Sequence, residues 1–153
     1  MPFHPRDSLI KAALSHEQTV AMTIWAESRA EPVEGQIAVG NVIRNRVLKP
    51  KRFSNTFKDV CLARLQFSCW VPAGGDKNYQ MLLARCERAL NDPIHWPRQA
   101  LWIAQGIVAN DAADNVGGAD HYYAKWMEKP PSWAARMTFV TEIHTHRFYR
   151  ETP

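Results

Sequence analysis

The chain has 153 residues, a formal net charge of +4 and a pI of about 9.1, with 46% hydrophobic and 22% charged residues. This length fits one folded unit with a hydrophobic core, and we assign residues 1–153 to a single domain. The sequence has no low-complexity run and no apolar stretch of membrane-spanning length, so we expect a globular protein without integral membrane association.

The positive charge favours anionic partners, which include nucleic acids, anionic lipids and anionic cell-wall polymers. The basic residues are scattered along the chain, with one small cluster, KPKR, at 49–52. No nucleic-acid-binding motif accompanies this cluster. We therefore expect no nucleic-acid partner.

The N-terminal residues contain no apolar run of secretory length, which predicts synthesis in the cytoplasm without a signal peptide. The chain has three cysteines, Cys61, Cys69 and Cys86. An odd number in a reducing compartment favours buried thiols over a disulfide framework.

Helices are predicted for the first third of the chain, beginning with a short one at about 6–14. Ser15 and Gln18 form a capping-box pattern, and apolar residues then recur at helical spacing, which predicts a helix over about 16–28. Pro32 suits the first turn of a further helix, whose apolar face continues to the KPKR cluster.

The helical periodicity fails between residues 52 and 77, where Ser, Asn, Gly and Pro accumulate around aromatic residues. An irregular stretch of this length is uncommon in a compact domain and is typical of a functional loop.

Helical patterns return at about 78–91 and 97–110. Residues 115–123 and 129–133 are predicted loops, whereas 136–149 has the β-branched and aromatic content of strands. The predicted fold class is therefore mainly α (α+β), with a small β ribbon or sheet.

Glu27 lies at the end of the predicted 16–28 helix, where the helix dipole disfavours an anion. Beside Trp25 and the aromatic residues of the irregular stretch, burial would raise the pKa of this carboxyl group, and a protonated Glu could donate a proton to a glycosidic oxygen. From composition alone, the stronger interpretation is that Glu27 is a solvated residue or an ion-pair partner of Arg29 or Arg44.

Three segments carry a family resemblance: WAESRAEPVEGQIAVGNVIRNRV at 25–47, QFSCW at 66–70 and IHTHRFY at 143–149. In this order they resemble the cell wall hydrolase family named for the spore cortex-lytic enzyme SleB, over about residues 19–149. The resemblance implies a lysozyme-like, lytic-transglycosylase-like fold and no cofactor. It also implies cleavage of the β-1,4 bond between MurNAc and GlcNAc in peptidoglycan, with Glu27 as the general acid.

As a lytic transglycosylase, the enzyme would use one Glu as acid and base and form 1,6-anhydro-MurNAc ends. The alternative, a hydrolytic muramidase, needs a second carboxylate. Glu31 is the nearest candidate, with Asp76 as a weaker one. Pro32 argues against an unbroken helix, so Glu31 is either a supporting carboxylate or the start of the next helix, and we slightly favour the helix start.

Gln66, Phe67 and Ser68 are expected to form one wall of the cleft, where the amide and hydroxyl groups could bind sugar substituents. For Phe67, packing in the core is the stronger interpretation. Tyr122 and Tyr123 could bring a phenol toward the acid or the saccharide, or make a structural hydrogen bond.

Three departures from the family pattern are Ser28 in place of Ala, Ala30 in place of Gly, and His-Thr-His at 144–146 in place of a glycine-containing turn. The Ala30 change matters most if that position requires a positive φ, because Gly adopts a positive φ at a lower conformational energy than Ala does.

His121, His144 and His146 raise the alternative of a zinc-dependent amidase, since residues 144 and 146 of a strand would project to one face. The sequence has no HExxH motif and no third ligand at a matching spacing, so we predict no metal and assign His146 a structural or substrate-contacting role. A non-catalytic wall-binding module is the remaining alternative. The single small unit without a signal peptide favours a monomeric phage or prophage endolysin that reaches the wall after release through a membrane lesion.

Overall fold

The computed structural model describes residues 5–64, 66–72 and 77–152, which fold into a helical layer and a three-stranded antiparallel sheet. This architecture confirms the predicted mainly α (α+β) fold class. The helices are α1 (Pro5–Ala13), α2 (His16–Ser28), α3 (Val33–Val47), α4 (Phe57–Leu62), α5 (Lys77–Asn91) and α6 (Arg98–Val108), and the strands are β1 (His121–Ala124), β2 (Met137–Ile143) and β3 (His146–Glu151).

Helix α2 is the central helix of the molecule. The predicted capping box is present, because the Ser15 side chain accepts from the Gln18 amide and the Gln18 side chain accepts from the Ser15 amide. All residues at 19–24 are buried, and α2 contacts α3, α4, α5 and α6. A helix enclosed on all sides is held rigidly, so its last turn is a fixed platform for a functional side chain.

Helix α3 begins at Val33, directly after the extended residue Pro32. It crosses close to α6, and a Cβ atom added at Gly40 would lie 2.8 Å from Cγ1 of Ile107. Gly40 is therefore needed for the close approach of the two helices.

The predicted irregular stretch at 52–77 is only partly irregular, because it contains α4 and a 3-10 turn at Ser68–Trp70. The Thr56 hydroxyl caps α4 by accepting from the Asp59 amide at 3.1 Å. A helix of six residues is too short to show a helical period in the sequence, so the pattern missed it.

Helices α5 and α6 lie within two residues of their predicted bounds. Helix α6 ends at Val108, two residues before the predicted end, and Asn110 then takes a left-handed conformation with φ of 59°. Asn is one of the residues that tolerate this conformation after a helix.

The sheet has the strand order β1-β3-β2. Residues 136–149, predicted as strand-like, lie in the hairpin of β2 and β3, which has an irregularity between Phe139 and Thr141. The predicted loop at 115–123 is wrong at its end, because residues 121–123 belong to β1 and pair with β3. This strand is four residues long and depends on a partner distant in sequence, which a local pattern cannot reveal.

Two groups of buried apolar residues stabilise the fold. The larger surrounds α2, and the smaller joins α3 to the sheet through Ala38, Val42, Val116, Ala119 and Phe148. The chain's three cysteines all lie in the described residues and are buried free thiols, as predicted. Within the described residues, no helix combines the length and apolar character needed to cross a bilayer.

Candidate active site

Glu27 lies in the last turn of α2 and is partly buried between the 3-10 turn at Ser68–Trp70 and strand β1. Its Oε2 accepts from the Tyr122 hydroxyl at 3.2 Å, and its Oε1 accepts from the Cys69 amide at 3.4 Å. Two donors from two separate elements therefore orient the carboxyl group.

Glu27 is in the wall of a cavity of about 410 Å³, a size typical of small-ligand sites. A smaller cavity of about 230 Å³ also has Glu27 in its wall. The larger cavity is lined by Ala26, Glu27, Ser28, Arg29, Ala30, Glu31, Asn78, Trp126, Thr145 and His146, and the smaller by Glu27, Arg46, Gln66, Phe67, Ser68 and Tyr122. The carboxyl group is thus accessible from both sides.

The ion pairs considered for Glu27 are not formed. Arg29 donates to the carbonyls of Trp25 and Ala26, and Arg44 donates to the carbonyl of Ala112. Trp25 does not line either cavity that contains Glu27, and its ring contacts the guanidinium groups of Arg29 and Arg85, each 4.8 Å from the ring centre.

Tyr122 is the tyrosine that meets Glu27. Burial, together with the charge of Glu27, holds the pKa of Tyr122 well above its usual range. Its hydroxyl therefore stays protonated and remains a hydrogen-bond donor to Glu27. Burial and the same carboxylate also raise the pKa of the Cys69 thiol well above its usual value, so this thiol is neutral.

Arg46 organises the wall of the smaller cavity. It is buried and donates to the Gln66 side chain at 3.1 Å and to the Asp120 carbonyl at 2.8 Å. Its guanidinium group lies 5.1 Å from the ring centres of both Phe53 and Phe67. Burial lowers the pKa of Arg46, against the raising effect of Tyr122 and Asp120.

Residues 66–68 line the smaller cavity together with Glu27, and each has a different environment. Gln66 and Ser68 are exposed, and the Gln66 amide oxygen accepts from Arg46. The Phe67 side chain is 3% exposed and packs in the core, which was the stronger interpretation.

Glu31 is 8% exposed and its carboxylate bonds to the turn between β2 and β3. It accepts from His144 Nδ1 at 2.6 Å, from the Thr145 amide at 3.1 Å and from the Thr145 hydroxyl. Burial would raise the pKa of Glu31, but the hydrogen bonds from Thr145 and His144 lower it below its ordinary value. An ionised carboxylate only accepts, so His144 must carry its proton on Nδ1.

These contacts correct the favoured interpretation of Glu31. It precedes Pro32, the N-terminal cap of α3, and its side chain bonds to the hairpin instead of serving the helix start. A Cβ atom added at Gly35 would lie 2.9 Å from Cβ of Glu31, so the first turn of α3 accommodates this side chain through a glycine. The alternative role, a supporting carboxylate near the site, fits the geometry.

His144 does not lie in a strand as predicted, because it occupies the hairpin turn with φ of 50°. His146 begins β3, with Nδ1 3.3 Å from Glu31 and its ring 4.9 Å from that of Tyr122. Burial lowers the pKa of His146 despite the opposing effect of Glu31. His146 is thus a neutral, buried residue in the wall of the larger cavity.

His121 lies apart from this pair and bonds to Asp120 through Nδ1 at 2.8 Å. In residues 5–64, 66–72 and 77–152, no group of three His, Cys, Asp or Glu side chains is arranged to hold a metal ion. The amidase alternative therefore receives no support from these histidines.

The structure does not bring Tyr123 to the site. Its hydroxyl lies 3.5 Å from that of Tyr149, and its ring packs against Trp133. Adjacent residues of a strand face opposite sides of a sheet, so only one of the two tyrosines can meet Glu27. Asp76, the weaker candidate for a second carboxylate, lies outside the described residues.

The family departures in the first motif have little structural effect. In the described residues the non-glycine positions with positive φ are Asn110 and His144, so Ala30 does not occupy a conformation that requires Gly. The Ser28 hydroxyl donates to the Ile24 carbonyl at 2.7 Å. Of the three departures, the one at 144–146 has a conformational cost, because His144 is a non-glycine residue with a positive φ.

Several residues of the larger cavity were not predicted to line it, among them Arg29, Asn78, Trp126 and Thr145. These four come from the end of α2, from α5 and from two turns of the sheet, and nothing in their local sequence indicates a shared cavity.

Comparisons with known proteins indicate the family and the fold of this chain. The sequence model of the cell wall hydrolase family matches residues 30–149, a range that begins after Glu27. The catalytic domain of the germination-specific lytic transglycosylase SleB from Bacillus anthracis is 22% identical, with a TM-score of 0.62 over 98% of this chain and 100% of that chain.

The catalytic domain of the Bacillus cereus SleB protein is also 22% identical, with a TM-score of 0.62 over 97% of this chain and 93% of that one. At this identity the two structures show a shared fold. Among curated proteins, none matches the chain significantly.

Proposed function

Since this chain belongs to the cell wall hydrolase family, we propose that it cleaves the β-1,4 bond between MurNAc and GlcNAc in peptidoglycan as a lytic transglycosylase. The observation that carries the proposal is the different environment of two neighbouring carboxyl groups. Glu27 is in the walls of both cavities, whereas Glu31 lines only the larger one and its carboxylate is bonded to the β2–β3 turn. One carboxyl group is thus available to a substrate and the other supports the site.

In the proposed reaction, Glu27 acts first as an acid. Its carboxyl proton passes to the glycosidic oxygen as the bond from C1 of MurNAc to that oxygen breaks. The resulting Glu27 carboxylate then accepts the proton of the C6 hydroxyl of the same MurNAc, whose oxygen bonds to C1. The products are a 1,6-anhydro-MurNAc end and a free GlcNAc hydroxyl, and Glu27 is protonated again.

Tyr122 and the Cys69 amide hold the carboxyl group during these two proton transfers. Both donors are uncharged, so they fix the orientation of Glu27 without placing a cation beside it. Gln66 and Ser68 are exposed at the smaller cavity, where they can bind sugar hydroxyl or N-acetyl groups.

A hydrolytic muramidase is less well supported. That reaction needs a second carboxylate to activate water or stabilise the cation. Glu31 already accepts from His144 and Thr145 and is almost fully buried, so it is poorly placed to contact a water at the sugar ring.

The net charge of +4 favours binding to the anionic wall by long-range attraction. We propose that one chain acts as a monomer, since residues of one chain line both cavities.

The product of digested sacculi tests this function. The parent protein should release muropeptides with 1,6-anhydro ends, which are one water lighter than the reducing ends from a muramidase, as measured by mass spectrometry. Glu27→Gln should lower the rate at least about 100-fold, because the amide cannot donate the proton.

Glu34→Gln is the matched control, since Glu34 is an exposed carboxylate on α3. It should retain the parent rate. Undiminished release by Glu27→Gln would refute the proposed role, and reducing ends from the parent would establish hydrolysis instead. Binding to sacculi without any release would indicate a wall-binding module.

A further inference from the structure

Trp126 is a large apolar side chain left open to solvent in the wall of the larger cavity. It is 71% exposed, and its ring centre lies 6.4 Å from that of His146. The same cavity contains Glu27. An exposed indole inside a concave polar site is a candidate for ligand contact, since its face offers apolar area that water solvates poorly.

The backbone that carries Trp126 is held in place. The Lys125 amide donates to the Thr145 carbonyl at 2.8 Å, and the Met127 amide donates to the Ala124 carbonyl at 3.0 Å. Thr145 is in turn bonded to Glu31. The Trp126 backbone is therefore fixed relative to the end of α2, which lowers the cost of ordering the site when a ligand binds.

The remaining lining residues indicate what kind of ligand fits beside the indole. Arg29, Asn78, Thr145 and His146 give the cavity a polar lining around the indole, so a ligand here must combine an apolar face with polar groups. A sugar ring has an apolar face of C–H groups and a rim of hydroxyl and amide groups. It matches one aromatic face within a polar cavity.

We propose that Trp126 is a saccharide-binding platform, on which a sugar ring of the glycan strand lies in the larger cavity next to Glu27. The inference rests on the proposed function and specifies one of its binding subsites. The strand would then extend from Glu27 toward the β2–β3 turn on this side, and toward Gln66 and Ser68 on the other.

A second exposed tryptophan provides a matched control. Trp102 on α6 is 67% exposed, and it lines a different cavity formed with α3. Neither Glu27 nor any residue of the β2–β3 turn lines that cavity. Both side chains are mostly in solvent, so either substitution with Ala should leave the fold intact, which melting temperature and circular dichroism verify.

The test measures binding and turnover separately. In a Glu27→Gln background, affinity for a soluble GlcNAc–MurNAc tetrasaccharide is measured by calorimetry. We expect Trp126→Ala to weaken binding about tenfold, Trp126→Tyr to retain most of it, and Trp102→Ala to leave it unchanged. In the active protein, Trp126→Ala should raise KM on sacculi about tenfold with kcat changed less than about threefold.

Equal binding by Trp126→Ala and Trp102→Ala would overturn the inference, as would a loss in kcat with KM unchanged. These outcomes are distinct from failure of the proposed function. If the parent releases no glycan fragment, the function fails, while the calorimetric comparison still decides whether the indole binds saccharide.

Discussion

Replacement of Glu31 with Gln should destabilise the fold without removing the catalytic group. The carboxylate accepts from the Thr145 amide, the Thr145 hydroxyl and His144 Nδ1. Hydrogen bonds to a charged acceptor contribute about 1.5–3 kcal/mol, and neutral ones about 0.5–1.5 kcal/mol, so each bond should lose about 1 kcal/mol.

The His144 side chain is 53% exposed, and solvent screening reduces its share. The two bonds from Thr145 therefore dominate, and the expected loss is about 2 kcal/mol. For a domain of this size, that loss lowers the melting temperature by about 4–8 °C. Differential scanning calorimetry at pH 7 measures it, with Glu34→Gln as the control that should stay within about 0.5 kcal/mol.

The pH dependence of the stability difference should show that the Glu31 carboxylate is the cause of that difference. The pKa of Glu31 is lowered in the fold, so its charge stabilises the protein above the ordinary carboxyl pKa of about 4.3. That contribution is lost as the pH falls through the lowered pKa. The gap in stability between the parent and Glu31→Gln should therefore be full at about pH 5 and shrink on further acidification.

Two results would refute this reasoning. A melting temperature within about 1 °C of the parent at pH 7 would mean that the charge of Glu31 adds nothing to the turn. Complete loss of glycan release by a folded Glu31→Gln protein, measured well below its melting temperature, would mean that Glu31 takes part in the chemistry.

Two further substitutions probe Tyr122 and His144. Tyr122→Phe removes the hydrogen bond to Glu27 while keeping the ring, so the rate of glycan release should fall about tenfold. The melting temperature should change by less than about 3 °C. An unchanged rate would exclude a role of Tyr122 in orienting the acid. His144→Gly should be more stable than His144→Ala by about 1 kcal/mol in chemical denaturation, because both lose the bond to Glu31 but only Gly tolerates φ of 50° without strain. If His144→Ala were instead more stable than His144→Gly, the turn would have changed to a backbone conformation that Ala tolerates.

Signals carried by a few neighbouring residues were sufficient for most of the helices. The capping box at Ser15 and Gln18 was found where the sequence placed it, and α6 lies within two residues of its predicted bounds. Each depends on side chains and backbone groups within one or two turns, so a local pattern contains the necessary information. The same holds for the motifs that indicated the family.

Short elements and contacts between distant segments could not be found in this way. Helix α4 has too few residues to show a period, and β1 forms only because β3 lies beside it. Glu31 illustrates the same limit for a single residue, since Pro32 and the following helix predicted a role at the helix start. Its actual partners are more than 100 residues away in the sequence.

The sequence by itself determined the mainly α fold class, the family and the position of Glu27 in the last turn of α2. The tertiary structure alone decided which groups surround that carboxyl group: Tyr122 instead of Trp25 or Tyr123, and a cavity that includes Trp126. The physical reason is that local backbone preferences depend on adjacent residues, whereas accessibility and hydrogen-bond partners depend on segments that meet only when the helical layer packs against the sheet.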